Sequence, residues 1–266
     1  MNALPHNYIE QLPGLRWMSE GQAGLSGDLL WLRRRLDSHF RRWGEALGAG
    51  EQSVPACLPV EAMKKCGYFE SFPHLATLAN AVQGAKQALL SPAACYHFYL
   101  QLENCELSER VLRTATATCF RNEQQYEPLR RQWSFSMREI VCIGEADEVQ
   151  AFLDTMRARV TEWCSAIELP MEWCHATDPF FNPAGNPKYM MQRLAPLKTE
   201  MVYERDLALG SVNFHQDFFG ETYGIKCNRK PAFSGCVAFG LERWLYAFVA
   251  RFGPDRKSWP INGGSS

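Results

Sequence analysis

Two short stretches constrain this chain more than any others. The first is Phe120-Arg121-Asn122-Glu123, followed after a loop by Arg131-Gln132-Trp133-Ser134-Phe135; the second is Phe239-Gly240-Leu241-Glu242-Arg243. The first reads as strand, loop and returning strand. Side chains in a strand repeat every second residue, which puts Arg121 and Glu123 on one face, and Phe135, Met137 and Glu139 together on the returning strand. The second reads as a strand ending at Gly240 and a helix opening near Glu242. Each stretch places an arginine where its planar fork can grip a phosphate. An aromatic face for a base and carboxylates for a metal or ribose stand close by in sequence.

The rest of the pattern supports a sheet. Residues 26 to 48 read as an amphipathic helix carrying Leu29, Leu32, Leu36, Phe40 and Trp43, with Arg33, Arg34, Arg35, Arg41 and Arg42 as a solvated basic face. Val54 to Pro59 reads as a short edge strand, where proline is tolerated. Residues 60 to 90 read as helix broken near Phe72-Pro73, and Tyr96 to Leu100 as an aromatic strand. Asp147 to Ile167 is a helix whose Val149, Phe152, Met156, Val160 and Trp163 form a core stripe. A short helix is expected over Pro187 to Leu194, strands over Leu207 to Phe214 and Phe233 to Phe239, and a last helix over Leu241 to Phe252. This order fits an α+β antiparallel sheet flanked by helices. No GxGxxG follows a strand, which disfavours a dinucleotide-binding α/β fold.

Composition narrows the class. The 266 residues suit one large domain or one domain with an N-terminal appendage, and 46% apolar residues suffice for a sizeable core. A net charge of -1 marks no general polyanion-binding surface. No apolar run reaches the roughly 18 residues that suggest a membrane span, and the N-terminus lacks signal-peptide character. Ten cysteines without a CxxC pair suggest reduced thiols and a cytoplasmic chain. Any metal site must then be built from residues distant in sequence.

FRxE, a loop and RxxxF resemble motif 2 of class II aminoacyl-tRNA synthetases, and GLER resembles the end of their motif 3. The likeness is greatest to atypical seryl-tRNA synthetases and their shortened relatives, the amino acid:[carrier protein] ligases, over roughly residues 55 to 250. It implies a class II aminoacyl-tRNA synthetase-like antiparallel sheet over residues 51 to 260. A helical segment at 1 to 50 would pack on it, and a disordered tail at 261 to 266 would follow. The helix, strand and proline near residues 26 to 59 loosely resemble motif 1, the dimer element, so a homodimer is implied.

The resemblance also implies roles. Arg121 and Arg243 are the catalytic cations, on the α-phosphate and γ-phosphate sides of ATP with its Mg2+. Phe135 stacks on adenine, Glu123 contacts its amino side, and Arg131 assists the terminal phosphates. Zn2+ is implied on Cys95, Glu139 and Cys236, with Cys236 seven residues before Arg243 as the family pattern requires. Three protein ligands leave a fourth position open for a substrate. Cys119 and Cys142 rank behind these as ligands. Asp178 is expected to bind the substrate amino group. Ala238, alternating with Cys236 on one face, is expected to line the amino acid pocket, together with Asn213. Ala208 falls near a place where the synthetases carry a carboxylate. His175 and His215 have no partner that the sequence identifies.

The implied activity is ATP-dependent activation of a small amino acid as its adenylate, then transfer to the phosphopantetheine thiol of a carrier protein. That partner is expected to dock on residues 182 to 196 through Lys188, Tyr189 and Arg193. Alternatives are a paralogue charging tRNA or another acceptor, and a non-catalytic regulatory paralogue. No long arm for tRNA is evident, so tRNA is the less expected partner.

Overall fold

Alternation along the central hairpin divides the molecule into two faces. Ile140 and Cys142 enter one hydrophobic cluster, whereas Val141 and Ile143 enter another on the opposite side. The computed structural model describes residues 6–183, 187–195 and 197–261. The chain opens with helix α1 (His6–Glu10), the hairpin of β1 (Leu15–Met18) and β2 (Gln22–Leu25), and the long helix α2 (Gly27–Glu45). Then come β3 (Gly50–Glu51), β4 (Cys57–Pro59), α3 (Val60–Lys65), α4 (Tyr68–Ser71), β5 (Leu78–Asn80), β6 (Gln87–Leu90) and α5 (Cys95–Gln101). The short β7 (Glu106–Leu107) precedes the hairpin of β8 (Val111–Phe120) and β9 (Ser134–Gly144), which leads into α6 (Ala146–Ala166). Next are β10 (Glu172–His175), α7 (Pro187–Leu194), β11 (Lys198–Tyr203), β12 (Leu207–Gln216) and α8 (Phe218–Tyr223). The turn strands β13 (Lys226–Cys227) and β14 (Lys230–Pro231), then β15 (Phe233–Gly240) and α9 (Leu241–Phe252), complete the main elements.

Seven strands form the main sheet in the order β10-β11-β12-β15-β9-β8-β3. All neighbours are antiparallel except β3 with β8. On one face α2, α6 and α9 bury Leu32, Leu36, Phe40, Phe152, Val160, Trp244 and Phe248 against Ile140, Val237 and Phe239. Phe40 stacks on Phe239 with ring centroids 4.0 Å apart. The face is also pinned by charge. Arg138, 2% exposed, donates to both carboxylate oxygens of Asp37 on α2, at 2.8 and 3.0 Å. Burial alone would raise the Asp37 carboxyl, but Arg138, Thr116 and Arg33 hold it below the usual carboxylate range. The other face carries α5, α8 and the cleft described below.

Several expectations are corrected. Residues 60 to 90 are helical only as far as Ser71, and β6 then pairs with both β4 and β5. The Tyr96 to Leu100 run is helix α5, not a strand. Its Cys95, His97, Phe98 and Tyr99 are all buried, so an element enclosed on most sides hides its 3.6-residue period behind a run that looks β-prone. Strand β8 ends at Phe120, which leaves Arg121 and Glu123 in the following loop. Arg33 departs from the basic surface and donates to Ser136 Oγ at 2.9 Å. Of the expected tail, Ile261 packs on the core and residues 262–266 lie outside the described residues. Among the described residues no helix is long and apolar enough to cross a membrane.

Candidate active site

Two cavities open on the α5 side of the sheet. The smaller, about 90 Å³, is walled by Arg121, Glu123, Phe135, Glu200, Glu242 and Arg243, among others. The larger, about 430 Å³, is walled by Cys95, Glu139, Asp178, Asn213, His215 and Cys236, among others. Arg121, Met137, Lys198, Ser211 and Ala238 line both, so they are compartments of one cleft. Gly210 lets the backbone form this floor, because a Cβ there would collide with the Ala238 carbonyl.

In the smaller compartment the Arg121 guanidinium lies 5.2 Å from the Phe135 ring centroid. The Arg121 amide is fixed by the Trp133 carbonyl at 2.9 Å across the hairpin. Arg243, in the first turn of α9, donates to the carbonyls of Arg130 at 2.8 Å and Ala208 at 2.9 Å. Burial and then the charge of Arg121 lower it to about 10, so it stays a cation at neutral pH. Glu242 accepts the Ser136 amide at 2.8 Å, and burial raises its carboxyl. The Arg243 side chain is thus anchored on backbone carbonyls, and both arginines line the one compartment, where their charge suits an anion. Arg131 is exposed and lines neither compartment. Its neighbour Arg130 does line the smaller one, held by Glu127 at 3.2 Å and Asp206 at 2.7 Å.

In the larger compartment Cys95, Glu139 and Cys236 each offer a ligand atom, all within 4.8 Å of one another and all buried. Helix α5 brings Cys95, whose amide donates to Glu139 Oε2 at 2.8 Å. Strands β9 and β15 bring the other two from adjacent positions, since Glu139 pairs with Ala238. A hydrogen bond to Cys236, then burial and Glu139, push the Cys95 thiol well up. The bond from Cys95, with help from His215 and Asn213, holds Cys236 well below the usual thiol range. Burial and the Cys236 charge raise Glu139 to about 8. Two sulfurs and a carboxylate gathered this closely fit zinc, because a bound cation would offset the repulsion that shifts these groups. Cys119 and Cys142 are buried elsewhere in the hairpin and do not join this group.

No protein-family profile matches the chain. Individual proteins do. Amino acid--[acyl-carrier-protein] ligase 1 of Bradyrhizobium diazoefficiens is 32% identical over 85% of this chain and 77% of its own. Ligase 2 of the same organism is 33% identical over 75% of this chain and 69% of its own. The chain belongs to the amino acid--[acyl-carrier-protein] ligases. Its fold is that of class II aminoacyl-tRNA synthetases. The M. kandleri SerRS solved with A. aeolicus tRNASec superposes with a TM-score of 0.82 at 17% identity. That match covers 96% of this ligase and 58% of the synthetase chain.

The remaining expected residues of this ligase fall around the cleft. Asp178 lines the larger compartment and accepts from Lys198 Nζ at 2.6 Å. Lys198 is also 3.4 Å from Glu200. Asn213 donates to Cys236 Sγ at 3.3 Å and to Ser211 Oγ at 3.0 Å. On α7, Arg193 lies 5.8 Å from the Tyr189 ring, and Tyr189 meets Phe180 edge-on at 6.2 Å. The side chain of Lys188 and residues 184–186 and 196 lie outside the described residues. Lys198, Glu200, Arg130 and His215 were not foreseen in any of these roles. His215 follows Ser211 and Asn213 at strand spacing, a signal that could have placed it; β11, which carries Lys198 and Glu200, has no comparable mark.

Proposed function

We propose that this ligase activates a small amino acid with ATP and Mg2+ and passes it to the phosphopantetheine thiol of a carrier protein. One observation carries the reading. Arg121 and Ala238 line both compartments, so an amino acid beside the cysteine-glutamate group can present its carboxylate to a phosphate beside Arg121 and Arg243 without crossing a wall.

In the first step a carboxylate oxygen of the amino acid attacks the α-phosphorus of ATP. The bond to the leaving pyrophosphate breaks, and the aminoacyl-adenylate remains. Charge grows on the α-phosphoryl oxygens and on the departing pyrophosphate. Arg243 is already aimed by two backbone carbonyls and so stabilises it with little reorganisation, and Arg121, beside the Phe135 ring, adds a second cation. Phe135 offers a face for adenine, and Glu123 an acceptor for its amino group. Lys198 stands at the junction, where the carboxylate and phosphate would meet.

Cys95, Glu139 and Cys236 would hold a zinc ion, which supplies a Lewis-acid site for a substrate amino group. Asp178 gives that end of the pocket a second anchor for a cation. In the second step the thiol sulfur attacks the acyl carbon. The thiol proton is lost, AMP leaves and a thioester remains.

Amino-acid-dependent exchange of pyrophosphate into ATP tests the first step across all twenty amino acids. Transfer of labelled amino acid to a phosphopantetheinylated carrier protein, with tRNA in a parallel arm, tests the second. Exchange without any carrier transfer, but with tRNA charging, would overturn the acceptor.

A further inference from the structure

Behind the Cys236 sulfur, Tyr99 and His215 form an ordered chain of polar atoms. Tyr99 lies on α5, fully buried, one helical turn beyond Cys95. Its Oη is 3.0 Å from His215 Nδ1. The other ring nitrogen, Nε2, faces Cys236 Sγ at 3.8 Å. Ser234 Oγ lies 3.5 Å from Nδ1. Phe219 holds both rings, stacking on Tyr99 at 4.0 Å and meeting His215 edge-on at 5.1 Å.

The direction of the chain depends on the tautomer of the ring. A neutral imidazole has one donor nitrogen and one acceptor, and a tyrosine hydroxyl can donate. When Tyr99 O–H donates to Nδ1, the ring hydrogen sits on Nε2 and points at the Cys236 sulfur. Asn213 Nδ2 donates to the same sulfur. In that tautomer Cys236 has two nitrogen donors, and among the described residues none reaches Cys95 Sγ. His215 is also not one of the ligand group, whose atoms lie within 4.8 Å of one another.

We propose that His215, locked by Tyr99, is a positioning residue that orients the Cys236 sulfur as a ligand and tightens metal binding. The inference rests on reading Cys95, Glu139 and Cys236 as a metal site. Groups that hydrogen-bond a ligand fix its rotamer and tune its donor strength, and their loss typically weakens metal binding by about 10–100-fold.

The test is chelator-competition titration of metal-free protein with Zn2+, alongside absorption spectra of the Co2+-loaded protein. His215→Leu should weaken zinc by about 10–100-fold. It should also move the sulfur-to-cobalt charge-transfer band to lower energy, because a sulfur that loses an N–H donor gives up its electron more easily. His215→Gln, which keeps an N–H donor, should recover most of both. Tyr99→Phe, which frees the tautomer, should fall between. A His215→Leu variant with wild-type affinity and an unmoved band would overturn the proposal. So would X-ray absorption showing a nitrogen neighbour at about 2.0–2.1 Å that His215→Leu removes, since His215 would then be a direct ligand. Cys236→Ser separates the two readings. If it loses zinc while His215→Leu does not, the metal site stands and only the role of His215 falls. A wild-type protein that takes up no metal overturns both.

Discussion

The amide of Cys95 donates to Glu139 Oε2 at 2.8 Å, which ties the first residue of α5 to the middle of β9. The same carboxylate belongs to the buried group with Cys236. One face of β9 therefore builds the site, while its next residue back, Arg138, pins α2 through Asp37 on the other face. Fold and site are set by consecutive residues of a single strand.

Zinc is expected at about one ion per chain, with Zn–S distances near 2.3 Å. Elemental analysis and X-ray absorption measure both. The Cys95→Ser, Cys236→Ser double variant should lose the metal, and chelation of the wild type should abolish pyrophosphate exchange. Full metal content in the double variant would sink the assignment of these ligands.

Arg121→Ala should lower pyrophosphate exchange by on the order of 100-fold or more, the usual worth of a fixed donor at a developing oxyanion. Its side chain makes no anchoring bond to the backbone among the described contacts, so the melting temperature should stay near wild type. Arg243→Ala should lose a similar amount of activity and some stability too, because the Arg130 and Ala208 carbonyls lose their donor. Wild-type exchange in either variant would show that the arginines do not face the reacting phosphate.

Much of this was legible because the residues that mark the site are strand residues with a period of two. The face shared by Phe135, Met137 and Glu139, and that shared by Cys236 and Ala238, follow from spacing alone and line the cleft. The last helix, Leu241–Phe252, could be read because a glycine precedes it and an amphipathic run fills it. Helix α5 could not be read, because burial on most sides removes the polar positions that reveal a period. The role of Lys198 was equally hidden. It depends on which strands become neighbours, and pairing of β11 with β12 is a tertiary fact.

The α2 anchor makes an energetic prediction. Asp37→Asn should destabilise the protein by about 3 kcal/mol, because it leaves much of the buried Arg138 charge uncompensated. The Asp37 carboxyl is held low in the folded protein, so its contribution is present above the ordinary carboxylate range and is lost as pH falls through the folded value. Urea melts of both proteins should converge in acid. Curves that stay parallel down to the onset of acid unfolding would assign the stabilisation elsewhere.

Two histidines add a second window. Burial lowers His39 and His97 to about 4. The unfolded chain takes up their protons near pH 6.5 and the folded one does not until about pH 4, so stability should fall as pH drops across that interval. His39 is packed among Trp43, Trp163 and Phe40, and its Nε2 has no hydrogen-bond partner. His39→Phe should therefore be close to neutral at pH 8 and should flatten the slope below pH 6.5. A slope unchanged by this substitution would remove His39 as a source.

The carrier protein is expected to dock on α7 and the residues around it. Exposed apolar side chains gather there: Phe181 is 64% exposed, Met190 45% and Leu194 83%. Arg193 stands beside Tyr189, and Tyr189 leans on Phe180, which itself lines the larger compartment. A partner seated on this helix would thus touch a wall of the larger compartment, where, on the proposed function, a long flexible thiol arm would have to enter. An adaptable methionine, Met190, with the positive charge of Arg193 near it suits an acidic protein that must bind and leave in each cycle. The Lys188→Glu, Arg193→Glu variant should keep amino-acid-dependent pyrophosphate exchange and lose transfer to the phosphopantetheinylated carrier. Leu194→Asp, which alters no existing charge and exposes nothing new, should give the same split through the apolar contact. Raising ionic strength should weaken transfer in the wild type more than exchange, because opposed surface charges are screened. Equal loss of both reactions would assign α7 to the support of the pocket. Undiminished transfer in both variants would move the docking surface away from this helix, with the arginines of α2 the next candidates.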